Sequence, residues 1–145
     1  MTDDDLRITR VFPVDIEQVF DAWSDPAVMA SWFYVGERWS AEVENDLRVG
    51  GWYRITMRTE TDEHLVCHGV YREVARPHRL AFTWNSHLHE GSLVTIELRS
   101  VTQGTELTLT HSGLPTEALL TAHDQGWAGC LANLERAVGR SFAAR

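Results

Sequence analysis

The sequence predicts an α+β domain, in which an antiparallel sheet of six to seven strands is covered by one long C-terminal helix and two short helices follow the first strand. Three observations predict it. Apolar residues alternate at period two through most of residues 39–111, the spacing of half-buried strands. Short glycine-containing or polar turns separate these runs, which makes consecutive strands antiparallel neighbours. After Pro115 the apolar spacing changes to three and four, the period of an amphipathic helix. A sheet with one apolar face must bury it, and this last helix is the only element long enough to do so.

Taken in order, residues 6–12 alternate Leu6, Ile8 and Phe12 with polar positions, giving a first strand that Pro13 ends. Asp15 is placed to cap a short helix carrying Val19, Phe20 and Trp23. Asp25-Pro26 stops it and starts a second helix, carrying Val28, Met29, Trp32 and Phe33. Residues 39–47 alternate weakly, and Gly50-Gly51 turns the chain. Residues 52–59 place Tyr53, Ile55 and Met57 on one side. Residues 64–74 are apolar on both parities, so the pattern leaves the register of that strand open. Residues 80–85 align Leu80, Phe82 and Trp84; residues 92–101 align Val94, Ile96 and Leu98; residues 105–111 align Leu107, Leu109 and His111. The final helix, residues 116–138, carries Leu120, Trp127, Leu131, Leu134 and Val138 on one stripe.

The totals exclude several function classes. The chain of 145 residues, 43% hydrophobic, suits one folded domain over residues 1–145. A formal net charge of −8, with no lysine and no arginine cluster, argues against a nucleic-acid footprint or an anionic membrane surface. No apolar run approaches the roughly 20 residues that span a bilayer, so membrane insertion is not expected. The acidic start MTDDDLR has no apolar h-region, and a cytoplasmic location is the expectation. Cys67 and Cys130 form no CxxC motif and are expected as two reduced, packed thiols. Six tryptophans are many for this length, and suggest either core filling or a pocket.

The order of elements and several short motifs together resemble the SRPBCC (START-like) superfamily. Within it the chain resembles the family named for the activator of the ninety-kilodalton heat-shock protein's ATPase, in its C-terminal-domain form. The motifs are Phe20-Asp21-Ala22-Trp23 followed by Asp25-Pro26 and Trp32-Phe33, then Gly50-Gly51, Arg79-Leu80-Ala81-Phe82-Thr83-Trp84 and Leu93–Leu98. They continue with Leu107–His111 into Ser112-Gly113-Leu114, and with His123 ahead of Gly126-Trp127, Leu131 and Leu134. The resemblance runs from about residue 6 to 138. It implies a helix-grip fold, a curved sheet wrapped around the C-terminal helix over a cavity. Lipid carriers, hormone receptors, polyketide cyclases and chaperone activators share that fold, so fold alone does not select a chemistry.

The expected ligand-binding cavity is lined by Trp32, Phe33, Trp39, Tyr53, Met57, Tyr71, Trp84, His111, His123 and Trp127, an apolar set with few polar groups. His111 ends a strand on its apolar face, and His123 lies four residues before Trp127 on one helix face. These two histidines are the weak candidates for a catalytic acid–base or for a handle that orients a ligand; the favoured reading is that both are structural. His87-Leu88-His89 offers two imidazoles beside Glu90 but no third ligand at metal spacing. No metal and no cofactor are expected; neither phosphate-binding nor GxSxG signatures occur. Three functions follow. The leading one is binding of a small hydrophobic molecule, aromatic or lipid-like. The second is a cyclase, dehydratase or hydrolase using a cavity histidine. The third is a chaperone-activator-like or regulatory protein-binding module, which predicts Trp23 or Trp39 exposed on the surface. Sheet edges add a homodimer as an expectation. Trp127 is expected buried, near His111 and on the cavity wall, with Gly126 beside it because of close backbone approach or to leave room for a ligand.

Overall fold

The first strand, β1 (Leu6–Phe12), lies at one edge of a seven-stranded antiparallel sheet, next to the last strand. The computed structural model describes residues 5–143, with side chains to Val138; residues 1–4 of the acidic N-terminal stretch lie outside the described residues. The other strands are β2 (Ser40–Asn45), β3 (Trp52–Arg58), β4 (His64–Ala75), β5 (Arg79–Trp84), β6 (Ser92–Val101) and β7 (Gly104–Ser112). Their spatial order is β1-β7-β6-β5-β4-β3-β2. From β2 to β7 the chain is a simple meander, and only β1 is displaced. The connection from β1 to β2 therefore crosses from one edge of the curved sheet to the other. It contains α1 (Ile16–Ser24) and α2 (Pro26–Met29). The long helix α3 (Glu117–Ala143) packs across the concave face.

Local chemistry sets these boundaries. Asp15 caps α1 by accepting from the Gln18 amide at 3.0 Å. Asp25 closes α1 and caps α2, accepting from the Ala27 amide at 2.9 Å, with Pro26 in the first helical position. The α2 helix is one turn long, shorter than the helical spacing predicts. Trp32 and Phe33 follow it in irregular chain yet are completely buried, because the Trp32 indole donates to the Ala22 carbonyl at 2.8 Å and folds that segment back onto α1. Thr116 starts α3, its hydroxyl accepting from the Leu119 amide at 3.2 Å.

The open register of β4 has a physical cause. Cys67, Gly69 and Tyr71 face inward, but a bulge between Tyr71 and Glu73 shifts the pairing with β5. Beyond it the inward parity switches and Val74 packs on the core. Gly69 permits the close approach of β4 to β5: a Cβ there would lie 2.0 Å from the Thr83 carbonyl oxygen. That oxygen accepts from the Tyr53 hydroxyl at 2.5 Å, while the Thr83 hydroxyl accepts from the Val70 amide at 2.8 Å.

The core is aromatic. Trp23, Trp32, Phe33, Trp84 and Trp127 form a continuous cluster, with Trp23–Trp32 centroids 4.7 Å apart and Trp84–Trp127 5.1 Å apart. Helix α3 is anchored to the chain between α2 and β2. The Asn133 side chain donates to the Tyr34 carbonyl at 2.7 Å, and Gly129 sits where a Cβ would lie 2.6 Å from the Val35 carbonyl oxygen. Alanine normally stabilises a helix by about 1 kcal/mol relative to glycine. At Gly129 the clash outweighs that gain: Gly129→Ala should lower stability by about 1–3 kcal/mol, the usual range for overpacking. Urea unfolding followed by circular dichroism measures it, and a stabilised variant would refute the close contact.

Candidate functional site

The apolar faces of β3, β4 and β5 do not meet α3 along its whole length. At one end they diverge and leave a cleft of about 290 Å³, open on one side. This is just under the usual lower bound of about 300 Å³ for ligand sites. The sheet contributes Met57, Leu65, Cys67 and Trp84, and the helix contributes Ala122, His123, Gln125, Gly126, Trp127 and Cys130. Phe33, Val35 and Trp39 close one side, and Ser86, His87 and Leu88, on the loop after β5, form the mouth. A depression of about 690 Å³ on the outer face of the sheet is larger. It is a strand surface lined by Arg54, His68 and Asn85 among others.

Beneath the cleft, a polar chain joins helix to sheet. Strand β7 turns Thr105, Leu107, Leu109 and His111 inward, all with no exposure. The Trp127 indole donates to His111 Nδ1 at 3.0 Å. An indole N–H can only donate, so Nδ1 carries no proton and the ring is the Nε2–H tautomer. Nε2 lies 2.8 Å from the Ser92 hydroxyl and donates to it. Ser92 passes its own proton to the Trp84 carbonyl at 3.0 Å, across the β5–β6 pair in which Trp84 and Ser92 are partners. Every polar atom of the His111 ring is used. Burial, with the nearby His123 and His89 adding to it, pushes its pKa down to about 3. His111 is therefore a neutral, fixed group at physiological pH.

His123 is 4.9 Å from His111 between ring centroids, edge to face. Its Nδ1 donates to the Leu119 carbonyl, one turn earlier, at 2.8 Å. Burial pushes the Cys67 thiol up to about 12 and raises Cys130 as well, where the proximity of Cys67 adds to the effect. Both stay protonated and are weak nucleophiles at neutral pH.

A family description, Activator of Hsp90 ATPase homolog 1-like protein, matches residues 13–139. The chain belongs to this family. Solved structures agree with the assignment. An AHSA1-like protein from Aeromonas hydrophila is 28% identical with a TM-score of 0.82, over 94% of this chain and 93% of that one. The AHSA1 protein SPO3351 from Silicibacter pomeroyi is 26% identical with a TM-score of 0.83, over 94% and 99% of the two chains. Protein NE0264 from Nitrosomonas europaea, 23% identical over 96% of both chains with a TM-score of 0.81, shares the fold. No curated protein matches the sequence.

Within this family member, the residues expected at the cavity divide into two layers. Phe33, Trp39, Met57, Trp84, His123 and Trp127 line the cleft. Trp32, Tyr53, Tyr71 and His111 do not reach its wall. Tyr53 and Tyr71 pack with Phe82 in the core, Trp32 stacks behind Phe33 at 4.6 Å, and His111 lies behind Trp127. Trp127, 3% exposed, is buried beside His111 and on the wall. The close backbone approach expected at Gly126 occurs at Gly129 instead; a Cβ on Gly126 meets only Val35 Cγ2, at 3.9 Å. Cys130 also lines the cleft; it lies seven residues after His123 on the same helix face and was legible by that periodicity. Val35, Leu65 and the mouth loop line it too, at positions that depend on tertiary packing. Among the described residues no group of His, Cys, Asp and Glu side chains is arranged to hold a metal ion, and no helix is long and apolar enough to cross a membrane.

Two outcomes follow from the polar chain. Trp127→Phe keeps an aromatic ring but removes the indole N–H and leaves His111 Nδ1 buried and unpaired; the lost hydrogen bond alone should cost about 1–3 kcal/mol in urea unfolding. The second concerns pH. In the unfolded chain His111 binds a proton below its ordinary value of 6.5, whereas in the folded protein it binds one only near 3. Between those limits the unfolded state holds more protons, so stability is lost as pH falls from 6.5 towards 3. From pH 6.5 to about 4 the loss from this group should be on the order of 3 kcal/mol. The His111 ring nitrogens should keep the neutral Nε2–H signature in NMR across that range; a titration midpoint near 6 would overturn the assignment.

Proposed function

We propose that this protein binds a small apolar molecule, aromatic or lipid-like, in the cleft between the sheet and α3. The observation that carries the reading is the composition of the cleft wall. Phe33, Trp39, Met57, Leu65, Trp84 and Trp127 surround it, and no aspartate, glutamate or arginine lines it. A wall of that kind gains free energy by covering apolar surface and offers an ion no carboxylate or guanidinium partner. The side chain missing at Gly126 leaves open the middle of the helix wall.

Acid–base catalysis draws less support. His111 is neutral with both nitrogens committed, and both thiols are held protonated. This leaves His123 as the one imidazole on the deep wall. A protein-binding role through Trp23 or Trp39 also draws little support: Trp23 is 1% exposed, and Trp39 is half-buried against the cleft. The tryptophan open to solvent is Trp52, on the outer face of β3. A partner protein or a second copy of the chain would meet that face, away from the cleft. The two free thiols fit a reducing, cytoplasmic setting.

The test is occlusion. Gly126→Leu places a side chain in the cleft without the backbone clash present at Gly129. It should weaken binding of a fluorescent apolar probe such as 1-aminoanthracene by at least about tenfold, equivalent to ~1.4 kcal/mol, with helix content unchanged. Equal binding by the variant and the parent would place the ligand elsewhere. Native mass spectrometry of freshly purified protein should show a co-purified small molecule that Gly126→Leu loses.

A further inference from the structure

Among the described residues, three buried side-chain atoms have no hydrogen-bond partner: Trp23 Nε1, Trp84 Nε1 and His123 Nε2. Buried polar groups are rarely left in this state, because an unmade hydrogen bond costs free energy that water would have supplied. Trp23 lies among the rings of the core. The other two belong to residues that line the cleft. They flank the same side chain: the ring centroids of Trp84 and His123 lie 6.0 Å and 4.9 Å from that of His111.

The two atoms are of opposite kind. Trp84 Nε1 carries a proton and can only donate. His123 has its Nδ1–H fixed on the Leu119 carbonyl, so in the neutral ring Nε2 is a bare acceptor. A donor and an acceptor on two cleft-lining residues, each packed against His111, are both satisfied by one group that accepts and donates at once. A neutral hydroxyl does this. A carboxylate does not, because it offers no proton to His123 and would enter a wall without a cation.

We infer, on the basis of the binding role proposed above, that the cleft selects an apolar molecule bearing a neutral hydroxyl, which accepts from Trp84 Nε1–H and donates to His123 Nε2. Neither atom lies open to solvent, so the ligand engages them as the lining side chains part; Leu88 at the mouth is 47% exposed.

The experiment compares naphthalene, 2-naphthol and 2-naphthoate by titration calorimetry at about pH 7.5, where the naphthol is neutral. The naphthol should bind about tenfold more tightly than naphthalene, the worth of two modest hydrogen bonds, and the naphthoate more weakly than the naphthol. In His123→Phe the naphthalene-to-naphthol ratio of dissociation constants should fall to about one. In the parent protein the Trp84 indole N–H resonance, assigned by its loss in Trp84→Phe, should move downfield with naphthol and not with naphthalene. This readout does not depend on whether His123→Phe folds. Naphthalene binding with no gain from the hydroxyl would overturn the inference alone and assign the two atoms to an ordered water. Tighter binding of the naphthoate would also overturn it. Failure of all three compounds to bind would remove the ligand-binding reading and this inference together.

Discussion

The rest of the site depends on the hydrogen bond from the Trp127 indole to His111. An amphipathic helix over a curved apolar sheet can rotate by tens of degrees at little cost if only oily surface is involved, because hydrophobic burial has no direction. One directional bond between a helix residue and a strand residue removes that freedom. With Trp127 pinned to β7, Gly126 faces the cleft, Gly129 meets Val35, and Cys130 comes opposite Cys67. The same bond fixes His111 as the Nε2–H tautomer, which donates to the Ser92 hydroxyl, and Ser92 in turn donates to the Trp84 carbonyl of β5. A contact between two side chains thus orders a helix, two strand pairs and a tautomer.

The fold was legible in the sequence because its signals are local and repeated. Inward and outward positions alternate through β3, β6 and β7, and the caps Asp15, Asp25 and Thr116 act through bonds to amides two or three residues away. What escaped was decided by contacts distant in sequence. The length of α2 is set by the Trp32 indole reaching back to Ala22, which no propensity encodes. The two-faced pattern of β4 comes from Val66 and Val70, apolar residues on the outer parity, and from the bulge after Tyr71 that turns Val74 inward.

The site was legible only in part, for the same reason. Trp84, Trp127 and His123 were found because strand and helix periodicity put them on the buried face. Tyr53, Tyr71, Trp32 and His111 lie on that face too, yet they belong to a deeper layer. Periodicity reports the face of an element and says nothing of depth beneath it. The distinction between Gly126 and Gly129 is of the same kind: both are helical glycines three residues apart, and only the position of the Val35 carbonyl tells which is obligatory.

The cleft draws its walls from two sources with different duties. Trp84 and Trp127 help hold the sheet and helix together, whereas Leu88 and His87 lie exposed on the loop after β5, outside the core cluster. Substitutions on that exposed loop alter the shape and chemistry of the cleft mouth without touching the side chains that join sheet to helix. That separation gives a physical reason why a fold retained at about one-quarter sequence identity need not retain the same cleft mouth.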